Sequence, residues 1–334
     1  MTDLKATATT GDPRRMALEN WLARVLGAAP QLEPASSDAS FRRYFRLNGP
    51  AGESLIAMDA PPAQENTPQF LAVAELMRAA GLHVPAVHAA VPGEGFALLE
   101  DLGTRTYLDA IDGDNAEGLV ADALAALVRW QGATRPGALP PYDEAVLHRE
   151  LALFPDWYAG RHLARRFTPA QRRDWDAVCA ALVDAALSQP QVYVHRDFIL
   201  RNLMASDPSP GVIDFQDALV GPIAYDVLTL FRDAFHRFEQ DFIERGVSHY
   251  LALARAANLP VPSSDADFRR WFDLIGVQRH LKVAGIFARL AHRDGKPKYL
   301  AEIPRFLGYL RETAPRYAET EALVPLLDAL ENGH

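Results

Sequence analysis

Apolar and polar positions recur with two different periods along this chain, and the change of period divides it. Leu18, Trp21, Leu22, Val25 and Leu26 follow helical spacing, behind an Asp12-Pro13 start and before a Gly27 stop. Phe41, Arg43, Phe45 and Leu47 then alternate with Arg42, Tyr44 and Arg46, the two-residue period of a strand. Residues 54–58 read as its partner beyond an Asn48-Gly49-Pro50-Ala51-Gly52 turn. A helix is expected from Thr67 to Gly81, with Phe70, Leu71, Ala74, Leu76 and Met77 as its apolar positions. Two further strands, 87–91 and 96–99, flank the Pro92-Gly93-Glu94-Gly95 turn. These four strands and two helices are enough for a small lobe.

Beyond Gly103 the helical period dominates. Helices are expected over 116–130, 141–163, 168–187, 225–250 and 268–291, and then through Leu330. Thr168 and Gln171 form a capping-box pattern. Trp271 to Lys282 reads as a half-buried helix. Two short apolar runs interrupt the helices, Val192-Tyr193-Val194 and Val212-Ile213, and both end close to carboxylates.

Those interruptions carry the chemistry. His195-Arg196-Asp197 follows the first run, Asn202 stands five positions after Asp197, and Asp214 ends the second run. Phosphoryl transfer needs an Asp beside the acceptor hydroxyl, and an Asn and a second Asp to hold magnesium on the nucleotide phosphates. All fixed positions of the kinase H-R-D-x-x-x-x-N loop are present, and the second Asp follows in order. Upstream, the small polar residues Ser37, Asp38 and Ser40 predict a tight turn before a strand. Such a turn can offer backbone N–H groups and hydroxyls to phosphate.

Composition narrows the reading. The 334 residues suffice for two lobes sharing a cleft, or for two domains. Lys plus Arg total 34 against 43 for Asp plus Glu, a net charge of −9 that disfavours a general nucleic-acid binder. The single cysteine, Cys179, allows no disulfide framework and no cysteine metal site, and is expected in the core. No signal-peptide pattern opens the chain and no charge-free run could span a bilayer, so a cytoplasmic protein is expected. Nucleophile-elbow, zinc-protease, Walker and dinucleotide fingerprints are all missing. No obligatory protein partner is implied.

The catalytic segment, Ile213-Asp214-Phe215 and Gly221-Pro222-Ile223-Ala224-Tyr225-Asp226 together resemble the aminoglycoside-phosphotransferase and choline-kinase superfamily of small-molecule kinases. More narrowly, four segments resemble the amino-sugar anomeric kinases of peptidoglycan recycling: Ser37 to Phe45, Met58-Asp59-Ala60-Pro61-Pro62, Leu98 to Gly103, and Gln278-Arg279-His280-Leu281-Lys282. These kinases phosphorylate N-acetylmuramate and N-acetylglucosamine at the anomeric hydroxyl. The resemblance implies an α+β, bilobal protein-kinase-like fold, with a small β-rich lobe over 1–101 and a larger helical lobe over 102–334. It implies ATP and Mg2+ as cofactors and a small amino sugar as substrate. Asp197 would serve as base, with Arg201 beside it in the catalytic loop, and Asn202 and Asp214 would hold magnesium. Leu99 to Leu102 would form the hinge that meets the adenine edge, which puts Glu100 and Leu102 with Ser37, Asp38, Ser40, Arg42 and Arg43 among the nucleotide-binding candidates. Trp157, Arg279 and His280 join Asp197 as substrate candidates. His195 would hold the loop, and Asp226 would stabilise it by hydrogen bonds. Asp217 is either a supporting or a merely solvated residue.

Two departures stand out. The third-strand lysine of kinases falls here at or beside Met58, and no lysine is near to pair with Glu65 or Glu75. Arg42, Arg43 and Arg201 are the replacement cations to consider. In addition, Asp-Phe-Gly becomes Asp214-Phe215-Gln216, and only a short stretch separates it from Gly221, too little for a peptide-docking segment. The alternatives to an amino-sugar kinase are a kinase of an aminoglycoside, a choline-like alcohol or another sugar, and a nucleotide-binding pseudokinase.

Overall fold

A computed structural model describes residues 12–36 and 41–332, so the Ser37, Asp38 and Ser40 candidates lie outside the described residues. The chain divides into two compact units, Met1–Leu76 with Val84–Gly103 and Met77–His83 with Thr104–His334.

The first unit is built on one antiparallel sheet. Its strands are β1 (Glu33–Ser36), β2 (Arg43–Asn48), β3 (Ser54–Asp59), β4 (Val87–Val91) and β5 (Phe96–Glu100), in the order β1-β2-β3-β5-β4. Helix α1 (Pro13–Leu26) forms where expected. The Asp12 carboxylate accepts from the Arg14 and Arg15 N–H groups, and Gly27 ends the helix in a left-handed conformation. Its apolar stripe, Leu18, Trp21 and Leu22, covers the sheet face formed by Phe45, Leu47, Leu55, Ala57, Phe96 and Leu98. Helix α2 (Thr67–Ala79) leads from β3 toward β4. Gly95 is required in the β4–β5 turn: its φ is +77°, and a Cβ there would lie 1.8 Å from the Ala60 carbonyl oxygen.

The second unit is mainly helical. Its elements begin with α3 (Tyr107–Ala110), α4 (Ala116–Gly132), α5 (Glu144–Leu151), a π-helix over Phe154–His162, and α6 (Pro169–Leu187). Two small antiparallel ribbons follow. One pairs β6 (Gln191–Val194) with β9 (Leu219–Pro222), the other β7 (Leu203–Met204) with β8 (Gly211–Val212). Helices α7 (Tyr225–Phe231), α8 (Gln240–Ala256), α9 (Asp265–His292), α10 (Ile303–Thr313) and α11 (Leu323–Asn332) complete it. Cys179 is buried on α6, and burial pushes its thiol up to about 12. Among the described residues no helix is long and apolar enough to cross a membrane.

Three helix expectations are corrected. The 141–163 stretch is broken because the Tyr142 N–H pairs with the Val220 carbonyl at 2.7 Å, so helix begins only after the Asp143 cap. Pro155 then removes an N–H from the next turn, and Gly285 of α9 presses against the Leu153 backbone, where a Cβ would sit 2.4 Å from its carbonyl carbon. The 225–250 stretch splits into α7 and α8. Between them Arg232 is buried against Asp273 and Thr313, and Arg232 and Arg237 bridge backbone to backbone. Finally, the segment Trp271 to Lys282 is more than half buried: every residue from Phe272 to Lys282 is buried, its charged members Asp273, Arg279 and Lys282 each engaged in an ion pair.

Candidate active site

The two ribbons of the second unit bring the motif residues together. The loop after β6 carries His195 to Asn202, and Asp214 lies two residues beyond the end of β8. Asn202 ties the three parts, donating from Nδ2 to the Asp197 carbonyl oxygen at 2.9 Å and to Asp214 Oδ2 at 3.4 Å. Gln216 Nε2 donates to the other Asp214 oxygen at 2.9 Å. Arg196 and Asp214 both occupy the left-handed region, with φ of 78° and 63°, conformations that β-carbon-bearing residues keep only when their surroundings enforce them.

That enforcement comes from α7 and the core. Asp226, fully buried on α7, accepts from the backbone N–H of His195 at 2.6 Å and of Arg196 at 2.9 Å. Burial pushes its carboxyl up to about 7, against the pull of those two bonds. His195 Nε2 donates to the Ile213 carbonyl at 3.0 Å, joining the two loops, while Nδ1 accepts from the Asp197 N–H at 3.3 Å. Burial lowers the His195 imidazole to about 4, so the ring is neutral near pH 7 and acts as a brace. Asp226 and His195 thus take the supporting places expected of them.

Asp197 itself is reachable. Its side chain is 49% exposed, whereas Arg279, whose Nη2 lies 3.4 Å from Asp197 Oδ1, is only 3% exposed. Burial would raise the Asp197 carboxyl, but Arg279, Lys282 and Arg196 outweigh it and hold it below the usual value. Asp214 and Asp217 are exposed. Among the described residues Asp217 makes long contacts, its carbonyl with Arg196 and its carboxylate with Gln216, each at 3.5 Å, which fits a solvated residue.

Beneath the loop lies a charge network that the motifs did not reveal. Glu150 on α5 accepts from Arg196, from the Tyr142 hydroxyl, from Lys282 Nζ at 3.0 Å and from Gln278 Nε2 at 3.1 Å. Lys282 also reaches the Tyr225 hydroxyl at 3.1 Å. Burial opposes ionisation of Glu150, yet Lys282 and Arg196 bring its carboxyl down to about 2. A lone Glu in a helix has no spacing signal, so only the fold exposes its role. Glu150→Gln is expected to cost about 3 kcal/mol at neutral pH, the loss for breaking a buried ion pair from one side. Because the folded value of about 2 lies below the ordinary 4.5, this stabilisation is complete above about pH 4.5 and drains away as pH falls toward 2. Melting curves of parent and variant should converge across that window; a constant gap would remove Glu150 from the charge balance.

The remaining candidates divide. Arg201 sits with its guanidinium 4.7 Å over the Phe235 ring. Trp157 is half-buried on the π-helix. His280 is fully buried, stacked on Tyr309 at 4.9 Å with both ring nitrogens enclosed, so no substrate reaches it without opening that core. In the first unit Glu100 ends β5, its N–H donating to the Ala86 carbonyl at 2.8 Å and its carboxylate accepting from the Ala86 N–H at 3.1 Å. Leu102 is half-buried just beyond it. Arg43 pairs with Asp12 and Asp59, while Arg42 pairs with Glu65, so an arginine and not a lysine is the partner that the sequence left open for this glutamate.

Among the described residues no group of three or more His, Cys, Asp or Glu could hold a metal ion. Magnesium on a nucleotide takes one or two protein carboxylates and fills its other positions with phosphate oxygen and water. Asp214 and the Asn202 amide are hard oxygen donors of the right kind, held together by one hydrogen bond.

The family model described as "Phosphotransferase enzyme family" matches residues 31–261. A Pseudomonas putida protein named N-acetylmuramate/N-acetylglucosamine kinase is 52% identical over 305 residues, 91% of this chain and 90% of that one. A Neisseria meningitidis protein of the same name is 48% identical, covering 94% and 95%. Among solved structures, an ADP-bound aminoglycoside phosphotransferase superposes with a TM-score of 0.60 at 15% identity, over 88% of this chain and 97% of that one. An ethanolamine kinase from Plasmodium vivax gives 0.61 at 11% identity, over 88% and 86%. The fold is therefore the α+β protein-kinase-like one, with a small β-rich unit and a larger helical unit.

Proposed function

This chain belongs to the phosphotransferase enzyme family, and from that premise we propose that it moves the γ-phosphoryl group of ATP to the anomeric hydroxyl of N-acetylmuramate or N-acetylglucosamine. The observation that carries the chemistry is the Asn202 side chain joining the Asp197 loop to Asp214. The names of the relatives at about half identity support the acceptor.

Asp197 orients the acceptor hydroxyl and takes its proton as the oxygen attacks phosphorus in line with the departing ADP. Held ionised by Arg279, Lys282 and Arg196, it is a weak base. An anomeric hydroxyl suits a weak base, because the ring oxygen withdraws charge from the developing alkoxide. Arg279, buried against Asp197, fixes the direction of that carboxylate. Asn202 and Asp214 hold Mg2+, which supplies charge neutralisation on the phosphates when bound. Glu100 and Leu102 belong to the segment that meets the adenine edge, and Ser37, Asp38 and Ser40 stay phosphate-binding candidates on their sequence alone. Trp157 is the candidate platform for the sugar face. Use of ATP supports a cytoplasmic location. The peptidoglycan-recycling role follows from the acceptor.

ADP release across N-acetylmuramate, N-acetylglucosamine, an aminoglycoside and choline tests the reading. The two amino sugars should turn over with ATP and magnesium. Turnover of only the aminoglycoside or choline would transfer the assignment to those alcohols.

A further inference from the structure

The kinase template pairs a strand lysine with a helix glutamate so that the ammonium group is held on the α- and β-phosphates. This chain has Met58 and Asp59 in the corresponding part of β3. Two arginines lie at the start of the neighbouring strand, and their surroundings differ.

Arg43 stands opposite Asp59 in the β2–β3 register. Asp59 is fully buried, and its two oxygens are shared between Arg14 and Arg43, while Arg43 also reaches Asp12. Two guanidinium groups and two carboxylates are thus closed on one another, joining α1, β2 and β3. Removing Arg43 leaves a buried carboxylate with half its partners, which makes Arg43 a residue of the fold.

Arg42, one residue before β2, has Glu65 beside it, two residues before α2. Their N···O distance is 2.6 Å, with side chains 8% and 10% exposed. The second Glu65 oxygen accepts from the Phe41 N–H at 3.2 Å, so one carboxylate fixes both the guanidinium and the backbone that carries it. Enclosing such a pair costs desolvation that stability alone rarely repays. A planar guanidinium with further donors can bind phosphate oxygens in a forked geometry while one edge stays on a carboxylate.

We propose that Arg42, held by Glu65, replaces the missing lysine–glutamate pair, with Arg42 binding the α/β-phosphates of ATP and Glu65 acting as its positioning residue. This rests on the kinase reading of the site but not on the identity of the sugar. Arg201, its guanidinium over Phe235 in the other unit, is not needed for the role.

The test is calorimetric binding of Mg-ATP, which requires no acceptor, joined to steady-state kinetics and melting temperature. Arg42→Ala should weaken Mg-ATP binding and raise KM for ATP by about tenfold or more, the loss of one charge-assisted contact, with KM for the sugar unchanged. Arg42→Lys should recover much of the loss, and Glu65→Gln should shift the same two quantities in the same direction by a smaller factor. Arg43→Ala should instead lower the melting temperature and leave nucleotide affinity within about twofold, the range of contacts that do not touch the ligand. Unchanged Mg-ATP affinity in folded Arg42→Ala would overturn the inference, as would a larger loss in Arg43→Ala than in Arg42→Ala. If the sugars fail as acceptors while Arg42→Ala still loses nucleotide, the acceptor assignment falls and this inference stands.

Discussion

Asp197→Asn is expected to lower turnover by about 10²–10⁴-fold, the range for a positioned general base, while Mg-ATP binding is retained. The amide keeps the size of the side chain and keeps Arg279 in place, but it cannot take a proton. Asp197 joins the metal-site candidates through its backbone carbonyl, not its carboxylate, so the nucleotide side should be spared. The braces around it, Asp226 to the His195 and Arg196 N–H groups and His195 to Ile213, do not involve the substituted atoms. Stopped-time product assays with a parallel nucleotide titration separate the two quantities. Near-parental turnover would remove Asp197 from the mechanism, and joint loss of binding would mean that it supports the nucleotide.

Asp214→Ala is expected to abolish transfer within detection and to remove magnesium-dependent strengthening of ATP binding. The phosphate charge then loses its protein carboxylate, and Asn202 alone is a neutral ligand. The same change also removes the acceptor of the Asn202 and Gln216 amide bonds and the residue at φ 63°, so Asp214→Asn is the control that keeps shape. Magnesium titrations of ATP binding check both variants. A variant that saturates with magnesium as the parent does would place the metal elsewhere.

The catalytic segment was legible because its signal is local. Fixed spacing from Asp197 to Asn202, apolar runs before it and before Asp214, and short connections leave few ways to arrange those side chains. Helix α1 was legible for the same reason: Asp12, Pro13 and Gly27 act within one turn of the ends they cap. What escaped was set by distant contacts. Nothing near Tyr142 announces that Val220 will claim its N–H, and nothing near Leu153 announces the close approach of Gly285. Likewise Glu150, Arg196, Lys282 and Tyr142 come from four separate stretches, and no spacing in the sequence links them. The Glu65 partner was not legible because the kinase pattern puts the cation on β3 as a lysine, whereas here it arrives as Arg42 beside β2. The buried polar residues of α9 look like a solvated stripe until their partners are known.

The phosphoryl group is expected to land on an anomeric oxygen. The most direct measurement of this compares free N-acetylglucosamine with its methyl glycoside and its 6-deoxy analogue, each with ATP and magnesium, followed by phosphorus NMR of the product. The free sugar and the 6-deoxy analogue should give an acid-labile 1-phosphate, and the methyl glycoside, its anomeric oxygen capped, should be inert. A phosphorylated methyl glycoside would contradict the anomeric assignment while leaving the kinase chemistry of Asp197, Asn202 and Asp214 in place.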